Sequence, residues 1–142
     1  MQDMKDEHPT NTDELFTHAM AARQRAYVPY SGFRVGAVIR LENGQLITGC
    51  NVENASYGLT NCAERTAIFS MIAQGFRDVQ EIAVVAEGDR PVAPCGACRQ
   101  VMAEFCDAKT RVTLYNTAGQ SLVTSVADLL PFAFSKEALQ SE

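Results

Sequence analysis

The run Ile82-Ala83-Val84-Val85-Ala86 constrains the fold more than any other stretch of the chain. A strand with one wet face alternates apolar and polar residues. An unbroken apolar run suits a strand covered on both faces, as in the middle of a parallel sheet. Helix-length segments flank it, one from about Cys62 through Ile68, Phe69 and Ile72 to Gly75, the other from Cys95 or Gly96 to about Cys106. Gly75 is a natural C-terminal cap, and Pro94 stands immediately ahead of the second helix. Arg111 to Tyr115 reads as the next strand, so strands and helices alternate, which is the α/β pattern.

Ahead of this unit, Asn11 with Glu14 three residues later predicts a helix start, followed by Leu15, Phe16, Ala19, Met20 and Ala22 to Tyr27 at helical spacing. Pro29, Ser31 and Gly32 end that helix in a loop. Phe33 to Leu41 and Leu46 to Val52 are strand-like, and the Asn43-Gly44 pair between them signals a hairpin. Behind the unit, Asn116 to Gln120 reads as a turn, Leu122-Val123 as a short edge strand, and Ser125 as the start of a helical piece stopped at Pro131. Residues 1–10 are polar and charged and are expected to form a disordered leader. Residues 11–142 contain no repeat or linker and are expected to form a single domain.

At 142 residues and 46% hydrophobic, such a domain buries a core without needing a metal or disulfides as staples. Twelve basic against 17 acidic residues leave a net charge of −5, the wrong sign for tracking a phosphate backbone, so no nucleic acid is expected as partner. The expected partner is a small molecule or another protein chain. No basic stretch leads into an apolar signal region and no run has the length of a membrane span, so the expectation is a cytoplasmic protein without membrane attachment.

Five cysteines, an odd number without a secretion signal, argue against a disulfide framework. Cys50 and Cys106 stand alone in apolar surroundings and read as small hydrophobes. Cys95-x-x-Cys98 has metal-ligand or redox spacing, and Cys62 supplies a possible third ligand. "NCAE" and "PCGAC" both fall where a helix starts, and there unpaired backbone N–H groups and the positive end of the dipole favour the thiolate that binds metal. Three protein ligands leave zinc's fourth position open, the mark of a catalytic site. A redox pair needs no third cysteine. Cys106 is about two helical turns from Cys98, roughly 12 Å along the axis, too far to close a four-cysteine site on a continuous helix, whereas spacing does not exclude Cys50.

Residues two apart on a regular helix do not face each other. Glu64 therefore shares a site with Cys62 only if that cysteine sits at or just before the first turn. The plain alternative is a capping pair, Asn61 with Glu64. Beside a zinc ion, a carboxylate that carries protons is the better reading.

"CAE" followed by "PCGAC", with "YSGFRVGA", "GCNVENASYGLTNCAERTAIF", "PCGACRQVMAEF" and "LLPFAF", resembles the small homotetrameric cytidine deaminases of the cytidine and deoxycytidylate deaminase superfamily, over about Tyr27 to Phe134. The resemblance implies a three-layer α/β/α fold with a mixed five-stranded sheet. It implies one zinc ion per subunit on Cys62, Cys95 and Cys98, with Glu64 as proton shuttle and Arg65 donating hydrogen bonds to the cysteine sulfurs. Asn51 and Glu53 match a pair that binds the ribose 3′-hydroxyl, Phe33 an aromatic packed near the base, and Ala63 a backbone contact to the pyrimidine. Ala55, Tyr57 and Phe134 match residues that help close a neighbouring subunit's pocket, so active sites are expected to be shared within a homotetramer.

The implied activity is hydrolytic deamination of cytidine and deoxycytidine to uridine and deoxyuridine with release of ammonia, a step of pyrimidine salvage. Water activated at the metal adds to C4 of cytosine while Glu64 passes a proton to N3 and then to the departing amino group. Taken singly, Phe33, Phe132 and Phe134 read as core, Asn51 and Glu53 as a solvated strand end, and Arg65 as a surface cation. Two departures from the family pattern stand out. Ala93 precedes "PCGAC" where serine is common, and Ser135-Lys136-Glu137 replaces a Gly-Pro continuation. The rival enzyme is a blasticidin deaminase with the same zinc chemistry, and the rival of another class is a zinc-stabilised binding module. His8 and His18 match no ligand pattern.

Overall fold

The computed structural model describes residues 9–140. Helix α1 (Pro9–Arg23) is followed by strands β1 (Val35–Leu41) and β2 (Leu46–Cys50), a 3-10 turn at Tyr57–Leu59, helix α2 (Ala63–Ala73), strand β3 (Val79–Ala86), helix α3 (Gly96–Phe105), strands β4 (Arg111–Asn116) and β5 (Ser121–Ser125), and two short helices, α4 (Val126–Leu129) and α5 (Lys136–Gln140). The strands form one sheet in the order β2-β1-β3-β4-β5. Only β3 and β4 are parallel, and every other pairing is antiparallel.

The apolar run of β3 lies at the centre of this sheet, buried from Ile82 to Ala86. Its two faces meet different layers. Ile82 and Val84, with Ala37, Ile39, Val112 and Leu114, pack against Ala63, Ala67, Ile68 and Met71 of α2, Met102 of α3 and Leu129 of α4. Ala83 and Val85, with Val38 and Tyr115, pack against Leu15 and Ala19 of α1. This is the α/β/α arrangement. The run needs no alternation because both faces are dry, and the sheet is mixed rather than parallel because β1 lies between its hairpin partner β2 and β3, antiparallel to both, and β5 folds back antiparallel to β4.

Two glycines set the layer spacing. A Cβ on Gly36 would stand 2.1 Å from the carbonyl oxygen of Ala19, and one on Gly49 would stand 2.5 Å from the amide nitrogen of Ala67. No side chain fits at either place, so α1 and α2 lie directly on the strands.

Several local expectations meet their elements. Gly44 adopts φ +93° in the β1–β2 turn. Gly75, at φ +92°, closes α2: its N–H reaches the Ile72 carbonyl at 3.0 Å, and that of Phe76 the Met71 carbonyl at 3.1 Å, the paired bonds of a Schellman end. The Ser125 hydroxyl caps α4, accepting from the Asp128 N–H at 3.1 Å.

Others need correction. Pro9 and Thr10, assigned to the leader, are helical, and Asn11 lies inside α1 rather than at its cap. Proline is well suited to the first turn of a helix, where its missing N–H costs nothing. Residues 1–8 of that leader, His8 among them, lie outside the described residues. At its far end α1 stops at Arg23, short of Tyr27. Phe33 precedes β1 and is exposed, and Phe132 and Phe134 are exposed as well, so none of the three is core. No described helix is long and apolar enough to cross a membrane.

Candidate active site

The register of the sheet brings the site together. Val35 pairs with Ala86 and Gly36 with Cys50, which puts the start of β1 and the ends of β2 and β3 on one edge. The chain leaves that edge from β2 into α2 and from β3 into α3, so both helices begin there with their free N–H groups. Ligands of open α/β sheets gather at such strand ends.

Each helix is capped by a cysteine. Cys62 (φ −76°, ψ 158°) and Cys95 (φ −70°, ψ 167°) are both extended N-cap residues without a side-chain capping bond. The first intrahelical bonds run from Thr66 N–H to Cys62 and from Arg99 N–H to Cys95. The amides of Ala63, Glu64 and Arg65, and of Gly96, Ala97 and Cys98, thus lie ahead of the helical ladders, where they favour anions. The extended Cys62 also answers how it shares a site with Glu64. Asn61 is not the cap: its amide donates to the Thr66 hydroxyl at 3.1 Å.

The sulfurs of Cys62, Cys95 and Cys98 lie within 4.8 Å of one another, and among the described residues they form the single group able to hold a metal. Neither Cys50 nor Cys106 joins them. The Cys62 and Cys95 sulfurs are 3.7 Å apart, and zinc–sulfur bonds of about 2.3 Å at tetrahedral angles separate neighbouring sulfurs by about 3.8 Å. The donor set is soft and fits one zinc ion, with a fourth position left open.

The electrostatics agree. Cys62 is lowered to about 5, by its hydrogen bond with Cys98 and then by Arg65, whose guanidinium lies 3.4 Å from its sulfur. Cys98 is pushed up by the same hydrogen bond and by burial. The hydrogen bond to Cys62 also raises Arg65. The Arg65 Nε is buried without a hydrogen-bond partner. Glu64, 5% exposed, has its carboxyl raised, first by burial and then by the Cys62 charge.

The remaining predicted residues divide. Val52 forms a two-bond bridge with Asn61, and Tyr27 pairs with the same segment, so Asn51 and Glu53 flank the strand that leads into Cys62. Asn51 is buried rather than solvated. Its Oδ1 accepts from the Val35 N–H at 2.9 Å and its Nδ2 donates to the Phe33 carbonyl at 2.8 Å. The Glu53 carboxylate accepts from the N–H groups of Tyr30 (3.0 Å) and Ser31 (3.1 Å) and from the Ser31 hydroxyl. The Ser31 hydroxyl and these amides hold Glu53 below the usual carboxylate range. Ala63 is fully buried at the start of α2, whereas Ala55, Tyr57 and Phe134 are exposed.

Sequence reasoning missed Gly49, which seats α2, and Ser31, whose hydroxyl joins Glu53 to the Phe33 N–H (2.9 Å). A glycine inside a strand pattern signals close approach. No comparable signal marks Ser31.

The chain matches the family model for the cytidine and deoxycytidylate deaminase zinc-binding region over residues 9–114. It is 58% identical over 123 residues to a cytidine deaminase of Halalkalibacterium halodurans, covering 87% of this chain and 93% of that one. To a cytidine deaminase of Sporosarcina psychrophila it is 51% identical, with 91% and 95% covered. A crystal structure of cytidine deaminase from Burkholderia pseudomallei superposes with a TM-score of 0.84 at 55% identity, over 86% of this chain and 98% of that one. The matched span runs from α1 into β4 and takes in all three sulfurs and Glu64, and the chain belongs to the cytidine and deoxycytidylate deaminase family.

Proposed function

We propose that the chain is a zinc-dependent hydrolase that deaminates cytidine and deoxycytidine, with Cys62, Cys95 and Cys98 as zinc ligands and Glu64 as the proton carrier. The observation that carries this reading is the buried carboxyl of Glu64 beside three sulfurs gathered at two helix N-termini. Zinc bound there supplies the Lewis acid that lowers the pKa of water.

The chain's residues do the rest. Glu64, its carboxyl raised first by burial, is the group placed beside the sulfurs to take and give a proton. It accepts a proton from the water that adds to C4 of cytosine and delivers it to N3, then takes the remaining proton from the C4 hydroxyl and delivers it to the departing amino group. The C4–O bond forms, the C4–N bond breaks, and ammonia leaves. Three thiolates on a divalent ion total −1, and the Arg65 guanidinium on Cys62 with the two helix starts offsets that charge.

Asn51 and Glu53 are assigned to the ribose 3′-hydroxyl. Glu53 is a half-buried carboxylate whose pKa the 30–31 loop lowers, an acceptor suited to a sugar hydroxyl. Phe33 is assigned to the base, with the buried backbone of Ala63 against the pyrimidine. Exposed Tyr57 and Phe134, with Ala55, are assigned to a neighbouring subunit's pocket in a homotetramer. A cytoplasmic place in pyrimidine salvage completes the reading.

The test is ammonia release by zinc-loaded protein offered cytidine, deoxycytidine, cytosine and adenosine in parallel. Turnover of both cytosine nucleosides, but not of free cytosine or adenosine, is expected. Stoichiometric zinc with no turnover of any of the four would overturn the reading. Light scattering of the same sample checks the tetramer.

A further inference from the structure

Cys95 is exposed, and Gly96 and Ala97 beside it are exposed too. Apolar packing therefore does little to hold this ligand. A polar tether stands in its place. Arg99, one residue after Cys98, donates from Nε to the carbonyl of Pro94 at 2.7 Å and from Nη1 to the carbonyl of Leu129 at 2.9 Å. The Pro94 carbonyl belongs to the peptide unit that leads into Cys95, and Pro94 itself is buried with its φ fixed by the ring. Leu129 is the last residue of α4 and is buried in the main core. One guanidinium thus ties the peptide ahead of an exposed ligand to a core-anchored helix end.

We propose that Arg99 is a positioning residue of the metal site, holding the Cys95 loop against the end of α4 so that the third sulfur stays in register with Cys62 and Cys98. The inference rests on the reading that these cysteines hold zinc. Both partners of Arg99 are neutral carbonyls, so its role is geometric: a planar fork spans two acceptors that the single nitrogen of lysine does not. The neighbouring Gln100 donates to the Phe134 carbonyl at 2.9 Å. It fastens the C-terminal segment to the same helix without touching the ligand loop, and so serves as a control.

The experiment measures zinc loss to excess 4-(2-pyridylazo)resorcinol from loaded wild-type, Arg99→Gln, Arg99→Lys and Gln100→Ala proteins, at a temperature where circular dichroism shows each folded. The sulfur-to-metal charge-transfer bands of the cobalt(II)-substituted proteins give a second readout, which a general loss of stability does not move. Arg99→Gln is expected to release zinc about 10- to 100-fold faster, the usual effect of removing a group that orients a ligand, with shifted cobalt bands. Arg99→Lys should fall between it and wild type, and Gln100→Ala should behave as wild type. Zinc loss at the wild-type rate with unmoved cobalt bands in Arg99→Gln would overturn the proposal, as would equal acceleration by Gln100→Ala. Should Arg99→Gln not fold, Arg99→Lys is read by the same two measurements: faster zinc loss with shifted bands supports the proposal, and wild-type behaviour in both overturns it. A wild-type protein that takes up neither zinc nor cobalt would instead overturn the reading of the site itself.

Discussion

The two helix starts that form the site share a backbone shape and differ in what holds them. At α2, Cys62 is followed by buried Ala63 and Glu64, and the helix lies on β2 at Gly49, where no side chain fits. At α3, Cys95, Gly96 and Ala97 are exposed, and the loop ahead is held by hydrogen bonds from Arg99. One end is seated by packing and the other is tied by polar contacts. Burial has a chemical consequence at α2, because it raises the Glu64 carboxyl and so favours its protonated form. At α3 the exposure is confined to the start of the helix, since Cys98 one turn on is fully buried.

The sharpest way to break this comparison is to remove the chemistry from α2 alone. Glu64→Gln should lower turnover by about 10²- to 10⁴-fold while zinc content stays at one per chain. Full activity in that variant would take Glu64 out of the mechanism.

Stability separates the two ends next. Gly49→Ala forces a methyl group into the backbone of α2 and should cost about 1–3 kcal/mol or more, read as a lower urea midpoint. An unchanged midpoint would mean that α2 is not seated by this contact.

The far ends of the helices differ as well. Gly75 closes α2, whereas α3 ends at Cys106, whose thiol is pushed up to about 12 by burial and then by Asp107, from an ordinary 9.0. The unfolded chain releases this proton near its ordinary value and the folded chain keeps it. Stability is therefore intact below that value and falls between the two, by at most about 1.4 kcal/mol per pH unit. Cys106→Ala should flatten this alkaline slope in denaturant titrations, and an identical slope would refute the assignment.

The smallest effect belongs to Gly96. A Cβ there meets no atom within 4 Å, and the residue is not among those at positive φ. Gly96→Ala should be neutral or raise stability by about 0.4–1 kcal/mol, opposite in sign to Gly49→Ala. A loss as large as that at Gly49 would erase the distinction between the two helix starts.

Much of this was legible in the chain. Ile82–Ala86 announced a central strand, Asn43-Gly44 a hairpin, and Gly75 and Ser125 their caps, because each depends on local conformation or on a face that is dry along its length. That the cysteines stand at helix starts was legible for the same reason, since each follows a loop and precedes an apolar helix pattern, whereas Cys62 rather than Asn61 as the cap was not. Asn51 was only half legible. Its place beside Glu53 was visible, but not that its amide clamps the backbone of Phe33 and Val35. Phe132 misled outright, because an aromatic after Leu-Leu-Pro looks like core and here stands in solvent at φ 56°.

The sequence by itself determined the order of the main strands and helices and the segments from which the two cysteine-bearing helices start, since propensity, turn chemistry and periodicity act over a few residues. Only the tertiary structure decided that Gly49 seats one ligand helix, that Arg99 ties the other, and that two caps from distant segments bring their sulfurs to 3.7 Å. Those outcomes depend on sheet register and on backbone groups far apart in the chain, which no local pattern encodes.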